Sequence, residues 1–421
     1  MRWQLHGLWK NPDFRCLWTG QVVSQLGSGI TGIALPVTAV LVLAATPVQM
    51  GILTSLDGLA ILLFGLFAGV WVDRLPRRPL MIAMDLGRAL LLLSIPLAAF
   101  LGILQLGQLY LVAALVGIGG VFFDAAAPTL LPSMIQSPEE LIEGNSKLGM
   151  ADALAEIAGP TAAGALVQLL SPPLAIACDA LSFLISALCL RGIRGMESVP
   201  SIRSKRQKVW QESKEGLLFV LREPRLLALV GSAGLFNFTG IFIGTLYAFY
   251  VIRDLHVTPL ILGVLIAAGG LSSLLGAWMA ERVIKRFGPG RVVGCALAFY
   301  GITGIFVPLV TTPTSLVIAV LLTSQLVGDM GVSIYQISEL SLRQTLTPPA
   351  LQGRVNSTVQ FLTRGVLPPG ALIAGLLASL IGVRWTLMMG VLGVTAAGLW
   401  LRFSPVRHVQ TLVMPAESEQ A

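Results

Sequence analysis

The sequence predicts an all-α membrane protein with twelve transmembrane helices in two pseudo-symmetric six-helix bundles. An apolar composition, a series of long apolar runs and an internal repeat lead to this fold class. Of the 421 residues, 55% are of the types AVILMFWYC and 12% are charged, whereas soluble domains carry about 25% charge. An apolar run in the hydrocarbon core must satisfy its own backbone hydrogen bonds, and it does so as a helix.

Twelve apolar runs are long enough to cross a bilayer. We place the spans at residues 16–44, 47–72, 79–103, 106–132, 145–170, 172–190, 224–252, 258–281, 289–311, 314–338, 354–382 and 384–403. The first run is long and is followed by others, so we interpret it as a span and not as a cleaved signal peptide. The predicted divisions are a first bundle at 1–190, a basic cytoplasmic linker at 191–223, a second bundle at 224–404 and a cytoplasmic tail at 405–421.

Lysine and arginine are distributed unevenly between alternate loops. When basic residues within two residues of a span's end are counted with the adjoining loop, the N-terminus, every second loop and the C-terminus carry 24 of the 28 basic residues. The opposite loops carry Arg253 and Arg384, and the remaining two, Arg88 and Arg364, lie within spans. Because loops rich in lysine and arginine stay in the cytoplasm, we expect a multi-pass protein of the cell (inner) membrane with both termini cytoplasmic. The basic stretch from Arg191 to Arg225 is expected to lie near anionic lipid, with a specific partner site as the alternative.

The two halves of the chain repeat each other. A shift of 208 residues places Asp73-Arg74-Leu75-Pro76-Arg77-Arg78 on Glu281-Arg282-Val283-Ile284-Lys285-Arg286, with the charges matched. A shift of 211 residues places Asn145-Ser146 on Asn356-Ser357 and Gly164 on Gly375. Parallel repeats of six spans are one known transporter layout, in which the substrate site lies near the bilayer midplane between the halves.

The loop after the second span carries the segment Gly69-Val70-Trp71-Val72-Asp73-Arg74-Leu75-Pro76-Arg77-Arg78. It resembles the loop signature of the major facilitator superfamily, although Pro76 stands where that signature has a glycine. Span five carries Gly159-Pro160 followed by Ala163-Gly164, which is similar to the family's antiporter motif; Gly159, Pro160 and Gly164 are its matching positions.

Three further segments resemble the macrolide-efflux and enterobactin-exporter branch of the family. They are Phe14-Arg15-Cys16-Leu17-Trp18-Thr19-Gly20-Gln21, Asp179-Ala180-Leu181-Ser182-Phe183 and Gly353-Arg354-Val355-Asn356-Ser357. Members of this branch are drug:proton antiporters or siderophore exporters, so the resemblance implies export that uses the proton gradient.

The loop signature also has a direct physical interpretation. A carboxylate near a helix N-terminus gains roughly 0.3–1 kcal/mol from the helix dipole. Span eleven starts at Arg354 on the same side of the membrane as Asp73, so its N-terminus is one that Asp73 is expected to face. We interpret the group as a conformational latch that favours an outward-open state, with a purely topogenic positive loop as the alternative. The latch residues are Gly69, Asp73, Arg74, Arg77, Arg78 and Asp124.

Charged residues also fall deep within the predicted spans, where each costs about 2.5–3.5 kcal/mol. They must therefore be paired, protonated or in a wet cavity. Asp85 and Arg88 lie three residues apart and are predicted to form a local structural pair, and Asp179 is also interpreted as structural. The candidates for proton coupling are Asp57, Asp152 and Glu156, with a carboxyl held protonated for packing as the alternative.

Polar residues at helical spacing predict a substrate cavity, because spans one, four, seven and ten line the cavity in the family that the sequence resembles. A buried pair of Asp329 with Arg364, or ordinary interhelical hydrogen bonding, are the alternatives. The candidate cavity residues are Gln21, Gln25, Asn237, Gln325, Asp329 and Arg364.

The predicted function is therefore secondary active export of drug-like or amphiphilic small molecules by alternating access, as proton-coupled antiport. A siderophore, lipid or metabolite transporter and a non-transporting membrane sensor remain alternatives. An enzyme is disfavoured because no paired His/Cys ligands, Gly-x-Ser-x-Gly elbow or phosphate loop occurs, and we expect no catalytic residue, metal or cofactor. The expected partners are a small-molecule substrate, protons and the lipid bilayer, with no nucleic acid, and the protein is expected to be a monomer.

Overall fold

A computed structural model describes residues 7–72, 75–135, 137–193, 209–310, 314–348 and 351–409, which are helical with short connections and contain no strand. The helices of the first half are α1 Pro12–Leu41, α2 Pro47–Val72, α3 Arg77–Phe100, α4 Leu106–Met134, α5 Pro138–Leu169 and α6 Pro172–Gly192. Those that follow are α7 Val209–Arg222, α8 Pro224–Phe249, α9 Pro259–Phe287, α10 Pro289–Gly304, α11 Phe306–Leu309, α12 Thr314–Leu346, α13 Gln352–Arg364, α14 Leu367–Ile381 and α15 Val383–Phe403.

Eleven helical segments of the described chain are long and apolar enough to cross a membrane. Among them, α10 and α11 form one span, and α13 and α14 form another. The fifth predicted span corresponds to α5, which is 32 residues long. It is not one of the eleven apolar segments, and it carries Asp152 and Glu156 along its length. Its polarity, not its length, therefore sets it apart.

Two helices of the first unit, α1 and α5, begin where a short polar residue precedes a proline. Asn11 accepts hydrogen bonds from the backbone of Asp13 at 2.9 Å and of Phe14 at 3.3 Å, and α1 starts at the following proline. Ser137 accepts one from Glu140 N at 3.1 Å in the same way. Such caps satisfy donors that have no partner inside the helix. Because of its cap, α5 begins at residue 138, seven residues before the predicted span.

Two elements differ from the predicted spans. The predicted linker contains a helix, α7, which ends two residues before α8 begins. Span eleven is interrupted between α13 and α14 at Gly365-Val366, directly before Pro368-Pro369. Proline lacks the N–H that continues a helical ladder, which explains the break.

The chain divides into two compact units, and each is described by itself. The first comprises Met1–Arg203 with Val251–Ala267, and the second comprises Ser204–Tyr250 with Ala268–Ala421. The beginning of α9 thus belongs with the first unit. The predicted bundle and linker boundaries, placed at spans and not at contacts, stay a prediction.

The repeat seen in the sequence reappears in the order of packing inside each unit. In the first unit, α1 packs on α5 and α6, α3 packs on α4 and α6, and α2 packs on α4. In the second, α8 packs on α13, α14 and α15, and α10 packs on α12 and α15. The counterpart of the α2–α4 contact joins α9 to α12, where Ser272 Oγ donates to Leu326 O at 2.5 Å and accepts from Met330 N at 2.9 Å. Helices that correspond in sequence therefore have corresponding neighbours.

Candidate functional site

The small residues of the motif in α5 lie where this helix closely approaches two others within the first unit. A methyl group on Gly159 would lie 3.0 Å from Gly29 Cα on α1. A methyl group on Gly164 would lie 2.6 Å from the carbonyl oxygen of Pro259 and 3.1 Å from Gly263 Cα on α9. Larger side chains at either glycine would force the helices apart. Gly29 and Gly263 were missed by the motif comparison, since each belongs to another helix.

Asp152 and Glu156 lie one turn apart on α5, and both side chains are exposed. Ala155 and Gly159, on the packed side of the helix, are buried. Among the described residues, neither acid has a hydrogen bond or an ion-pair partner. The structure therefore presents two carboxyl groups on one exposed stripe that borders the packed side of α5.

Asp57, the third proton-coupling candidate, lies on α2 opposite Gly117 of α4. Its side chain is exposed, and a methyl group on Gly117 would lie 3.3 Å from Asp57 Oδ1. No basic side chain pairs with Asp57 in the described part of the chain. The helix α2, which carries Asp57, packs chiefly on α4, whereas α5, which carries the other two acids, packs chiefly on α1 and α6.

A polar cluster in the second unit joins two of the predicted cavity residues on α12. Gln325 Nε2 donates to the hydroxyl of Tyr247 on α8 at 3.3 Å. A methyl group on Gly269 of α9 would lie 3.2 Å from Gln325 Oε1 and would collide with Asp329 Oδ2. The absence of a side chain at Gly269 therefore leaves the space that both groups occupy.

Sequence reasoning missed Tyr247, although a tyrosine inside a span is itself a signal, because its hydroxyl needs a partner when buried. The structure brings it together with Gln325 by packing α8 and α9 against α12.

The remaining cavity candidates lie on α1, α8 and α13. Gln21 and Gln25 are half-buried on α1, and Asn237 is half-buried on α8. Arg364 is the last residue of α13, and its side chain is exposed. No ion pair between Asp329 and Arg364 is formed among the described residues. The structure thus does not support the alternative of a buried pair.

The predicted latch is only partly described. Gly69 lies in the last turn of α2, Arg77 is the first residue of α3, and Asp124 lies on α4 with an exposed side chain. Asp73 and Arg74 lie outside the described residues. The latch therefore stays a prediction.

Arg78 has a role that the sequence analysis missed. Its Nε donates to Leu190 O at 2.8 Å and its Nη2 to Arg191 O at 2.5 Å. Both carbonyls lie in the last turn of α6, where regular helical donors run out, and Leu190 O also accepts a bond from Ile193 N at 3.3 Å. A cation there is also favoured by the helix dipole. Arg78 therefore fastens the start of α3 to the end of α6.

The predicted pair of Asp85 and Arg88 is confirmed. Arg88 Nη2 donates to Asp85 Oδ1, and both side chains are buried between α3 and its neighbours. The Arg88 guanidinium also lies over the rings of Phe123 and Phe183, 4.7 and 4.1 Å from their centroids. Cation–π contacts of this kind lower the cost of burying the charge.

Asp179 on α6 has structural contacts, as the sequence analysis expected. It accepts hydrogen bonds from Thr31 Oγ1 on α1 at 2.5 Å and from Ser182 Oγ at 2.9 Å. A methyl group on Gly27 of α1 would collide with this group. The small residue on α1 therefore allows α6 to bring its carboxylate against α1.

Comparison with known proteins agrees with this architecture. A family model for the Major Facilitator Superfamily matches residues 17–368. Macrolide efflux protein A of Streptococcus pyogenes is 23% identical over 397 residues, covering 91% of this chain and 94% of the relative. Multidrug efflux pump Tap of Mycolicibacterium fortuitum is 27% identical over 392 residues, covering 89% and 92%. The crystal structure of a bacterial homologue of the iron transporter ferroportin, in an inward-facing state, gives a TM-score of 0.74 at 19% identity, covering 93% of this chain and 98% of that one.

These similarities confirm the predicted fold class of twelve transmembrane helices in two six-helix bundles. They also identify a multi-pass inner-membrane protein of a family that carries small-molecule substrates. The drug-efflux proteins among the relatives agree with the branch that the sequence motifs resemble. The chain belongs to the Major Facilitator Superfamily of membrane transporters.

Proposed function

We propose that this transporter exports drug-like or amphiphilic small molecules by alternating access, in exchange for protons. The observation that carries this proposal is the pair of acids on α5. Asp152 and Glu156 are exposed, lack partners among the described residues and precede the glycine at which α5 crosses α1. A carboxylate inside a span is costly to keep charged, so a carboxyl that gains and loses access to water as the transporter changes state would take up and release a proton.

The substrate class rests on a second set of observations. The names of two relatives describe efflux of a macrolide and of multiple drugs. In the second unit, Asp329, Gln325 and Tyr247 combine a carboxyl, an amide and an aromatic ring. Such a group offers an apolar face together with hydrogen bonds, which suits an amphiphilic substrate better than a small hydrophilic metabolite.

The experiment is transport by the purified protein in liposomes, with a pH gradient imposed in the absence of a sodium gradient. We expect accumulation of a macrolide or another amphiphilic drug that collapses when a protonophore is added. Accumulation driven by sodium alone would overturn proton coupling. Flux of siderophores, lipids or metabolites without drug flux would overturn the substrate class. Binding without flux would instead indicate a sensor.

A further inference from the structure

The helix α7, which precedes the second unit's first span, has two unlike sides. Val220 is buried against Val355 and Val359 of α13 and Val230 of α8. A methyl group on Gly216 would lie 2.7 Å from the carbonyl oxygen of Arg354. The close approach at Gly216 and the packing of Val220 fix one side of α7 against α13.

An ion pair adds to this packing. Glu215 of α7 pairs with Arg354 at the start of α13. Arg354 belongs to the segment Gly353-Arg354-Val355-Asn356-Ser357, and Val355 of the same segment lies in the apolar cluster with Val220. The segment therefore serves, in this structure, as the place where α7 is attached.

The other side of the last two turns of α7 exposes leucines that none of the described residues covers. Leu217, Leu218 and Leu221 are 37%, 40% and 54% exposed. At 100° per residue Leu218 and Leu221 point away from the side that Gly216 and Val220 share, and Leu217 lies between the two sides. Only Glu223 separates the end of α7 from α8, which enters the membrane. The last turn of α7 is consequently held at the membrane surface, where exposed leucines meet lipid.

The charge beside this face indicates the kind of lipid. Arg222 at the end of α7 and Arg225 in the first turn of α8 are both exposed. They close a stretch, Arg191 to Arg225, with nine basic and four acidic residues. A helix that combines an apolar face with flanking arginines binds in the interfacial region of an anionic membrane.

We infer that α7 is an interfacial helix whose Leu217–Leu218–Leu221 face lies in a leaflet containing anionic phospholipid, while Glu215 and Gly216 fasten it to α13. The attachment makes the start of α13 sensitive to how α7 is seated in the lipid. This inference depends on the membrane location of α8 and not on the transported substrate.

The test places an environment-sensitive fluorophore on a cysteine at Leu218 in the full-length protein, after Cys16, Cys178, Cys189 and Cys295 are replaced by serine. The protein is reconstituted in nanodiscs of phosphatidylcholine alone or mixed with phosphatidylglycerol. We expect severalfold stronger quenching by brominated lipid than for the same label at Lys285, which is 75% exposed. The same measurement with the label at Leu221 checks that the result does not depend on the position of the label.

In nanodiscs that contain phosphatidylglycerol, the probe is expected to lie deeper in the leaflet than in phosphatidylcholine alone. The double substitution Arg222→Gln and Arg225→Gln is expected to abolish this difference in depth between the two lipid compositions. Equal quenching by aqueous iodide at Leu218 and Lys285 would overturn the inference. Protection from iodide without quenching by brominated lipid would overturn it too, because it would indicate a protein surface covering the leucines. A lipid-composition effect that persists in the arginine double variant would refute the assigned role of the arginines.

Discussion

Arg88 and Asp85 form an ion pair one helical turn apart on α3, and the structure buries both side chains. Asp85 Oδ2 and Arg88 Nε have no hydrogen-bond partner in the described residues. Two phenylalanine rings lie against the guanidinium. The two charges are thus compensated chiefly by each other and by the aromatic faces.

Removing one member of this pair is predicted to destabilise the first unit. Asp85→Asn or Arg88→Leu leaves one charge buried alone, which typically costs about 3–5 kcal/mol. Thermal unfolding of the purified protein, followed by circular dichroism, should show a lower melting temperature for each variant. The control is Glu281→Gln, which breaks an exposed i,i+4 pair between a carboxylate and a lysine and should leave the melting temperature unchanged.

The double variant Asp85→Leu with Arg88→Met is predicted to recover most of the lost stability, because an apolar pair of similar volume requires no charge to be buried. If the double variant loses as much stability as the two single variants together, then the contacts that each residue makes with its other neighbours stabilise the protein more than the ion pair does. Equal melting of the wild type and both single variants would contradict the prediction altogether.

The glycines of α5 allow a comparison within one helix. Gly164→Ala places a methyl group 2.6 Å from the carbonyl oxygen of Pro259, and overpacking of this kind costs about 1–3 kcal/mol. In Gly149→Ala the added methyl group lies in open space. Because alanine favours the helix more than glycine does, this variant should be more stable than the wild type by about 0.5–1 kcal/mol. Melting temperatures should therefore shift in opposite directions. Shifts of the same sign would show that the approach of α5 to α9 does not limit stability.

The predicted orientation is tested by labelling single cysteines with a membrane-impermeant reagent on intact cells. Gln105, an exposed residue before α4, is on a loop predicted to be external, whereas Gln207 is in the predicted cytoplasmic linker and lies outside the described residues. A cysteine at position 105 should react and one at position 207 should not, in a background without native cysteines. The reverse pattern would invert the topology.

The latch hypothesis predicts a shift between conformations. Asp73→Asn removes the carboxylate of the loop signature, so we expect the equilibrium to move toward an inward-open state and turnover to slow, with substrate binding largely kept. A pair of distance probes on the cytoplasmic face measures the shift. Unchanged distance distributions would contradict the latch and leave the loop as a determinant of topology.

Sequence reasoning predicted what depends on local spacing and composition. The pair Asp85–Arg88 could be predicted because residues three apart meet on a helix, and the spans could be predicted because their length matches the bilayer. The bonds from Thr31 to Asp179 and from Arg78 to Leu190 could not, because they depend on the rotation and depth of one helix against another. The helix α7 was missed since charged residues mask its short apolar face.

The last prediction concerns coupling at Glu156 and Asp57. A ligand shifts an equilibrium between two states only through its different affinity for them, and the transported proton is such a ligand. Glu156→Gln or Asp57→Asn removes a group whose protonation would differ between the two sides of the membrane. We therefore expect loss of pH-driven substrate accumulation in liposomes, while exchange of labelled for unlabelled substrate at equal concentrations survives.

The control for this coupling experiment is Asp179→Asn, which changes the same chemical group at a site held by Thr31 and Ser182. This variant should show near-normal coupling, provided that its circular dichroism spectrum matches that of the wild type and so shows that it is folded. Full pH-driven transport in both Glu156→Gln and Asp57→Asn would make these residues structural. Asp152, Asp329 and Asp124 would then be tested in the same assay, first with a proton gradient and then with a sodium gradient. Because exchange needs no gradient, a variant that loses both accumulation and exchange has lost transport itself, and only the selective loss of accumulation identifies the proton carrier.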